Sequence, residues 1–403
     1  MKQFQVEWSQ GEIDRVLHKV ADCRLPPAPV DSGWAFGCDA EFLAQVQKYW
    51  VESFDWQSCM ARLNRFPQYQ VEIDGQLVHF LHVKGEAQGR RPLLLTHGWP
   101  GSHFEFWQAI EPLAYPSRHG GKAEDAFDLV IPSLPGFGFS GKPAGVTTQR
   151  QTAVIWNKLM TEVLGYARYR AQGGDWGAIV TSWLGLDHGA SVEAIHLNML
   201  GFRSLTPPQN DAEKAWQASA DAAQRLYSGY AAVQMFKPQS IAWAAADNPL
   251  GQAAWILERF HDWADLRQRP FETVFSLESL LTNISLYVMT GSFTSAAWFY
   301  PGVVRDGFTI LPAGTRCETP THFAACSGDA LAPVPPRSRA ELVYNLSGWS
   351  DLVEGGISLQ WKYRVCSSKT CAAGAGPESF RNTTDRLSPR RLTRDRNRHI
   401  TDK

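Results

Sequence analysis

At 403 residues, with 44% apolar and 20% charged side chains and a formal net charge of −1, the chain has the composition of a globular protein with one elaborated domain or two. That balance excludes a whole-protein nucleic-acid or anionic-membrane surface, and no apolar run approaches the roughly 18–20 residues of a membrane span. Seven scattered cysteines form neither a metal pattern nor a disulfide framework. The first residues, Met1-Lys2-Gln3-Phe4-Gln5-Val6-Glu7, carry no apolar segment of secretory type, so a cytoplasmic protein is expected.

Residues 1 to about 85 read as a first module. A helix starts around Gly11–Leu17 and is broken by Leu25-Pro26-Pro27-Ala28-Pro29. Ala40 to Glu52 is a second helix, with Phe42, Leu43, Val46, Tyr49 and Trp50 on one stripe. Gln70 to Phe80 alternates around Asp74-Gly75, a β-hairpin signal. His79 and His82 fall within it and are expected to be structural.

Strand and helix then alternate. Pro92–Thr96 is a buried strand leading into His97-Gly98-Trp99-Pro100-Gly101-Ser102, and a helix runs from about His103 to Ile110. Asp128–Ile131 is the next strand; Thr152 to Gly165 is amphipathic; Val192–Asn198 is another strand. Such alternation implies a mostly parallel sheet covered on both faces. From Phe202 to about Ala297 the pattern is helical throughout, as expected of a cap over the C-terminal edge of the sheet. Strand character resumes at Thr321–Cys326 and, more weakly, near Leu342 to Trp349.

The chemistry centres on Gly173-Gly174-Asp175-Trp176-Gly177, a Gly-x-Asp-x-Gly frame between a strand and a helix. It is a nucleophile elbow with Asp in place of the usual Ser. Glycines permit the strained turn that pushes the central side chain into the pocket. Asp is also a preferred helix N-cap, but an ordinary cap needs no such frame. A carboxylate there suits backside attack on an sp³ carbon with a strained or good leaving group, forming an alkyl ester. The backbone N–H groups of Trp99 and Trp176 occupy the two positions that build an oxyanion hole, and Asp329 follows a later strand where an acid that orients a catalytic His belongs.

His97-Gly98-Trp99-Pro100, Gly173-Gly174-Asp175-Trp176-Gly177 and the N-terminal module together resemble the microsomal-type epoxide hydrolases over roughly residues 1–356. The resemblance implies an α/β fold: an α/β-hydrolase core with a mostly parallel sheet, a helical cap and an N-terminal segment wrapped around them. It implies divisions at 1–85 (N-terminal segment), 86–201 (core), 202–297 (cap) and 298–356 (core). It also implies attack by Asp175 on a small apolar epoxide, hydrogen bonds from two cap tyrosines, Tyr230 and Tyr300, to the epoxide oxygen, and ester hydrolysis by water activated by a His–acid pair with Asp329 as the acid. No metal or organic cofactor is implied, nor a nucleic-acid partner; a homo-oligomer is compatible. Haloalkane dehalogenases also use an Asp nucleophile, and a non-catalytic ligand-binding homologue would keep the same pocket; both readings stay open at this point.

One part of the pattern is missing. The family's last strand leads to Gly-Gly-His-Phe, whereas this chain reads Glu354-Gly355-Gly356-Ile357-Ser358-Leu359. Position 357 lies 28 residues after Asp329, where the His is due. Restoring one C ahead of an allowed spelling of the following codons gives H-F-x-A-M-E-V-P-G-M-L-V-E-D-V-R, the missing motif with a helix start behind it. Residues 357–403 carry a net charge of +7 against −8 for the rest of the chain, and runs such as Ser388-Pro389-Arg390-Arg391-Leu392 lack core periodicity. The tail is therefore expected to be frameshifted, with turnover impaired by loss of the base.

Overall fold

The computed structural model describes residues 1–87, 89 and 91–352. The tail and the position due for the base lie outside them. Its centre is a nine-stranded sheet: β1 (Lys2–Phe4), β2 (Gln68–Ile73), β3 (Gln76–Val83), β4 (Arg91–Thr96), β5 (Phe127–Pro132), β6 (Tyr169–Gly173), β7 (Val192–Leu197), β8 (Cys317–Cys326) and β9 (Tyr344–Leu352). The order across the sheet is β1-β2-β3-β5-β4-β6-β7-β8-β9. β1, β2, β3 and β5 pair antiparallel, and from β5 onward every pairing is parallel. This is the expected α/β-hydrolase sheet. Its middle strands are buried on both faces because helices cover both: every residue of β5 and of β6 is buried.

Local chemistry explains the early elements. Asp74 and Gly75 have φ values of 50° and 78°, so the β2–β3 connection is a two-residue turn with both central residues left-handed. Helix α1 (Gln10–Asp22) opens with a capping box between Ser9 and Glu12. The Asp39 side chain caps α2 (Ala40–Glu52) by accepting from the Phe42 N–H. Within the N-terminal segment, two elements carried no sequence expectation: the three-residue edge strand β1, and α3 (Trp56–Leu63), capped by Asp55.

On the core, α4 (Trp107–Ala114), α5 (Gln149–Lys158) and α6 (Trp176–Asp187) connect the strands. The amphipathic stretch expected over 152–165 starts three residues earlier, at the Thr148 capping box, and ends in a π-helical turn at Leu159–Val163. The helical region expected over 202–297 runs instead from α7 (Asp211–Tyr227) through α8 (Gly229–Phe236), α9 (Pro238–Ala245), α10 (Pro249–Trp263), α11 (Phe271–Val274), α12 (Leu277–Thr290) and α13 (Ser292–Ala297) to α14 (Tyr300–Arg305). Pro207 and Pro208 delay its start, and Pro301, in the first turn of α14, is compatible with helix and extends its end. A short parallel pair, Arg203–Ser204 with Ile310–Leu311, ties the two ends of the helical region together.

The N-terminal segment grips those helices. Lys19 pairs with Asp247 and Arg62 with Glu278. Trp34 stacks on His261 with ring centroids 4.0 Å apart and planes 4° from parallel, and Phe271 packs edge-on against Trp34. The wrapping segment is thus a clamp between core and cap.

Candidate active site

The site forms where β4, β6, β7 and β8 end. Asp175 has φ 51° and ψ −128°, a strained conformation for a residue with a side chain. The glycines around it are required by space. A β-carbon on Gly173 would lie 2.1 Å from the Gly177 carbonyl oxygen, and one on Gly177 would lie 1.9 Å from the Thr96 carbonyl oxygen. Strand β4 and helix α6 therefore meet through bare backbone at the elbow.

Asp175 makes no side-chain cap to α6. Its Oδ1 accepts a hydrogen bond of 2.7 Å from the Trp99 N–H, and the Trp176 N–H also favours the charged form. Asp175 is half-buried at the cavity wall, and the loss of water pushes its carboxylate up to about 6 against the two donors. The Trp99 N–H, one of the two expected to form an oxyanion hole, thus holds Oδ1 of the carboxylate.

The loop carrying the Trp99 N–H is fixed from both sides. His97, buried and held neutral by desolvation (its imidazole drops to about 4), accepts from the Leu134 N–H at 3.0 Å through Nε2. From the cap, Asn283 on α12 donates to the Pro100 carbonyl at 2.8 Å and meets Ser102 Oγ at 2.8 Å. The Tyr287 hydroxyl donates to the Gly101 carbonyl at 2.6 Å. The Trp99-Pro100 peptide is cis.

Tyr230 on α8 and Tyr300 at the start of α14 come together over this loop. Their rings are 5.9 Å apart and nearly perpendicular, and each phenol acts on the ionisation of the other. The Trp99 indole stacks on Tyr230 at 5.2 Å with planes 8° apart, and Trp176 meets Tyr300 edge-on at 4.6 Å. Burial, followed by the Asp175 charge, raises the Tyr230 phenol above its ordinary value; burial raises Tyr300 likewise. Both are therefore hydrogen-bond donors at neutral pH.

Asp329 lies three residues beyond the end of β8, in the turn that follows. Its Oδ1 accepts from the Leu331 and Ala332 N–H groups at 3.0 and 2.8 Å. Its Oδ2 is sealed from solvent and has no hydrogen-bond partner among the described residues. Desolvation raises the carboxyl to about 7, and the Asp175 charge adds to the rise. Of the other histidines, His79 bridges Ser133 and Gln68 and His322 meets Ser350, whereas buried His196 stacks on His322 at 5.4 Å and neither of its ring nitrogens has a hydrogen-bond partner among the described residues.

A cavity of about 470 Å³ is lined by Asp175, Trp176, Tyr230 and Tyr300 together with Arg203, Trp216 and Asp221. Asn198, just past the end of β7, also lines it, and both polar atoms of its buried amide lack partners among the described residues. No sequence signal marked Asn198, because its position matters only once β6 and β8 flank β7.

The architecture defines an α/β-hydrolase with an acidic elbow and a helical cap. The model of the epoxide hydrolase N terminus matches residues 1–106, and that of the alpha/beta hydrolase fold matches residues 91–250. A putative epoxide hydrolase of Stigmatella aurantiaca is 41% identical over 88% of this chain and 80% of its own. Epoxide hydrolase 1 of Oryctolagus cuniculus is 35% identical over 81% of this chain and 78% of its own. The solved Aspergillus niger epoxide hydrolase superposes with a TM-score of 0.79 at 28% identity, covering 93% of this chain and 95% of that one. The chain belongs to the epoxide hydrolase family.

Proposed function

We propose that the protein opens small apolar epoxides by attack of Asp175, forming a glycol ester. The observation that carries this reading is the elbow carboxylate itself: Oδ1 rests on the Trp99 N–H at 2.7 Å, in the same cavity as the paired tyrosine hydroxyls. Oδ2 attacks an epoxide carbon, the C–O bond breaks, and Tyr230 and Tyr300 donate to the departing oxygen. Halide release would ask for donors grouped around a spherical anion; two phenols whose rings are in contact suit a single ring oxygen better.

The second half of the cycle is hydrolysis of the ester by water with a base oriented by Asp329. The orphaned Asp329 Oδ2 supports that role, since an imidazole N–H would satisfy it. The sequence places Ile357 where the His is due, so we propose that the ester persists. Mass spectrometry of the intact chain after excess styrene oxide tests both halves. The expected result is one stoichiometric adduct at Asp175 with slow diol release. Rapid multiple turnover without an adduct would overturn the missing-base reading, and absence of both adduct and diol would overturn the assignment of Asp175.

A further inference from the structure

The proposed ring opening moves a negative charge. Before reaction it resides on Asp175. When the Asp175 Oδ2–carbon bond forms and the epoxide C–O bond breaks, the ester is neutral and the charge passes to the epoxide oxygen. If that oxygen takes a proton from Tyr230, the charge ends on a buried phenolate. Burying such a charge without a partner is costly, so the cations near Tyr230 decide where it can rest.

Arg259 on α10 is the guanidinium placed there. It is 5% exposed, and its Cζ lies 5.1 Å from the Tyr230 ring centroid and 6.0 Å from that of Trp263. Trp263 in turn packs 5.1 Å from Tyr230. Trp99, whose N–H holds Asp175, stacks on the same tyrosine. Arg259, Tyr230, Trp99 and Asp175 are thus one continuous contact chain. Resting on the structure-supported reading that Asp175 attacks an epoxide, we propose that Arg259 is a positioning residue for ring opening: it fixes the Tyr230 ring and stabilises the phenolate left when Tyr230 gives its proton to the epoxide oxygen.

The charged groups acting on the Tyr230 phenol are Asp175 and Asp329, which oppose its ionisation, and Arg259, which favours it, together with the Tyr300 hydroxyl. Formation of the ester removes the Asp175 charge and leaves Arg259 in place, so the balance shifts toward phenolate at the step that needs it. Glu258 and Asp262 pair with Arg259. Their side chains are 25% and 20% exposed against 7% for Arg259, so water screens them more than it screens the guanidinium against the ring. They anchor the cation, and the guanidinium is the charged group of the three in contact with the Tyr230 ring. An arginine planar face also suits an aromatic ring better than a lysine ammonium does.

Two measurements on the full chain test this. In the first, adduct formation with styrene oxide is timed for wild type, Arg259→Gln and Arg259→Lys. Arg259→Gln should slow the step by about 10–100-fold, with Lys recovering part of it. In the second, phenolate absorbance is followed on alkaline titration in the Asp175→Asn background, which mimics the neutral ester, with Tyr230→Phe as the baseline. There Arg259→Gln should move the Tyr230 ionisation upward by about one pH unit, a tenfold change. An unchanged Tyr230 ionisation would overturn the proposal, as would an unchanged adduct rate in a wild type that does form adduct. If no adduct forms in wild type but the ionisation still depends on Arg259, the nucleophile assignment fails while the Arg259–Tyr230 coupling stands. Circular dichroism of each variant separates these outcomes from misfolding, and a slow variant that Lys does not rescue and whose ionisation is unmoved counts against the proposal.

Discussion

Gly98 faces Asp175 so closely that a β-carbon on it would lie 2.3 Å from both the β-carbon and Oδ1 of Asp175. The Gly98→Ala variant should therefore fold but displace the carboxylate from the Trp99 N–H. A displacement near one ångström costs about 100-fold in rate, and adduct formation should fall by at least that amount. Gly177→Ala makes the matched contrast. Its new β-carbon would collide with the Thr96 backbone, so loss of soluble, cooperatively melting protein is expected instead.

The Asp175 carboxyl must be ionised to attack. With its folded value raised to about 6 by desolvation, the alkylation rate should climb with pH through about 6 and level off above it. The same shift is a stability statement. Between the unfolded value near 3.8 and the folded value near 6, the native state binds more protons than the unfolded one, so the stability this group contributes below that window is lost as pH rises through it. Asp175→Asn removes the loss. It should melt higher than wild type at about pH 8, by on the order of 3 kcal/mol at most, and should match it more nearly at about pH 4. Thermal denaturation at the two pH values checks the sign.

Tyr230 and Tyr300 line the same cavity with their rings in contact, so in the proposed ring opening each partly substitutes for the other. Tyr230→Phe and Tyr300→Phe should each slow adduct formation by about 100-fold, and the double variant should form none within the range of the assay. Equal rates for the double variant and wild type would remove the tyrosines from ring opening.

If Asp329 Oδ2 is the dock for a base, an added small imidazole should take the empty role. Excess imidazole is expected to speed loss of the Asp175 adduct by about 10-fold, and Asp329→Asn should abolish that acceleration without changing how fast the adduct forms. Inserting one C before codon 357, which restores a His, should convert the single turnover into continuous diol production measured by chromatography.

Features written in local chemistry were legible in the sequence. The β2–β3 hairpin announced itself through Asp74-Gly75, and the elbow through its glycines, whose necessity appears in the 1.9 and 2.1 Å clashes that side chains would create. Elements held by tertiary contact were less visible. β1 is three residues long and exists because β2 offers an edge. Asp329 follows β8, which stops at Cys326 as expected, but the two backbone N–H groups of the next turn that hold its carboxylate carried no sequence signal. Arg259 and Asn198 carried no signal, since each acquires meaning only from neighbours distant in sequence.

The ties from α12 to the Trp99 loop bear on how substrate arrives. Asn283, Ser102 and Tyr287 are buried, and each separation would strand a polar group at about 1–3 kcal/mol. Swinging the cap away would also dismantle the cradle under Asp175 and part Trp99 from Tyr230. The cap is thus a fixed roof rather than a door. Traffic is expected along the cavity wall that carries the exposed Asp221 and Gln224 of α7, and bulk added there should change which epoxides reach the nucleophile while leaving its chemistry alone.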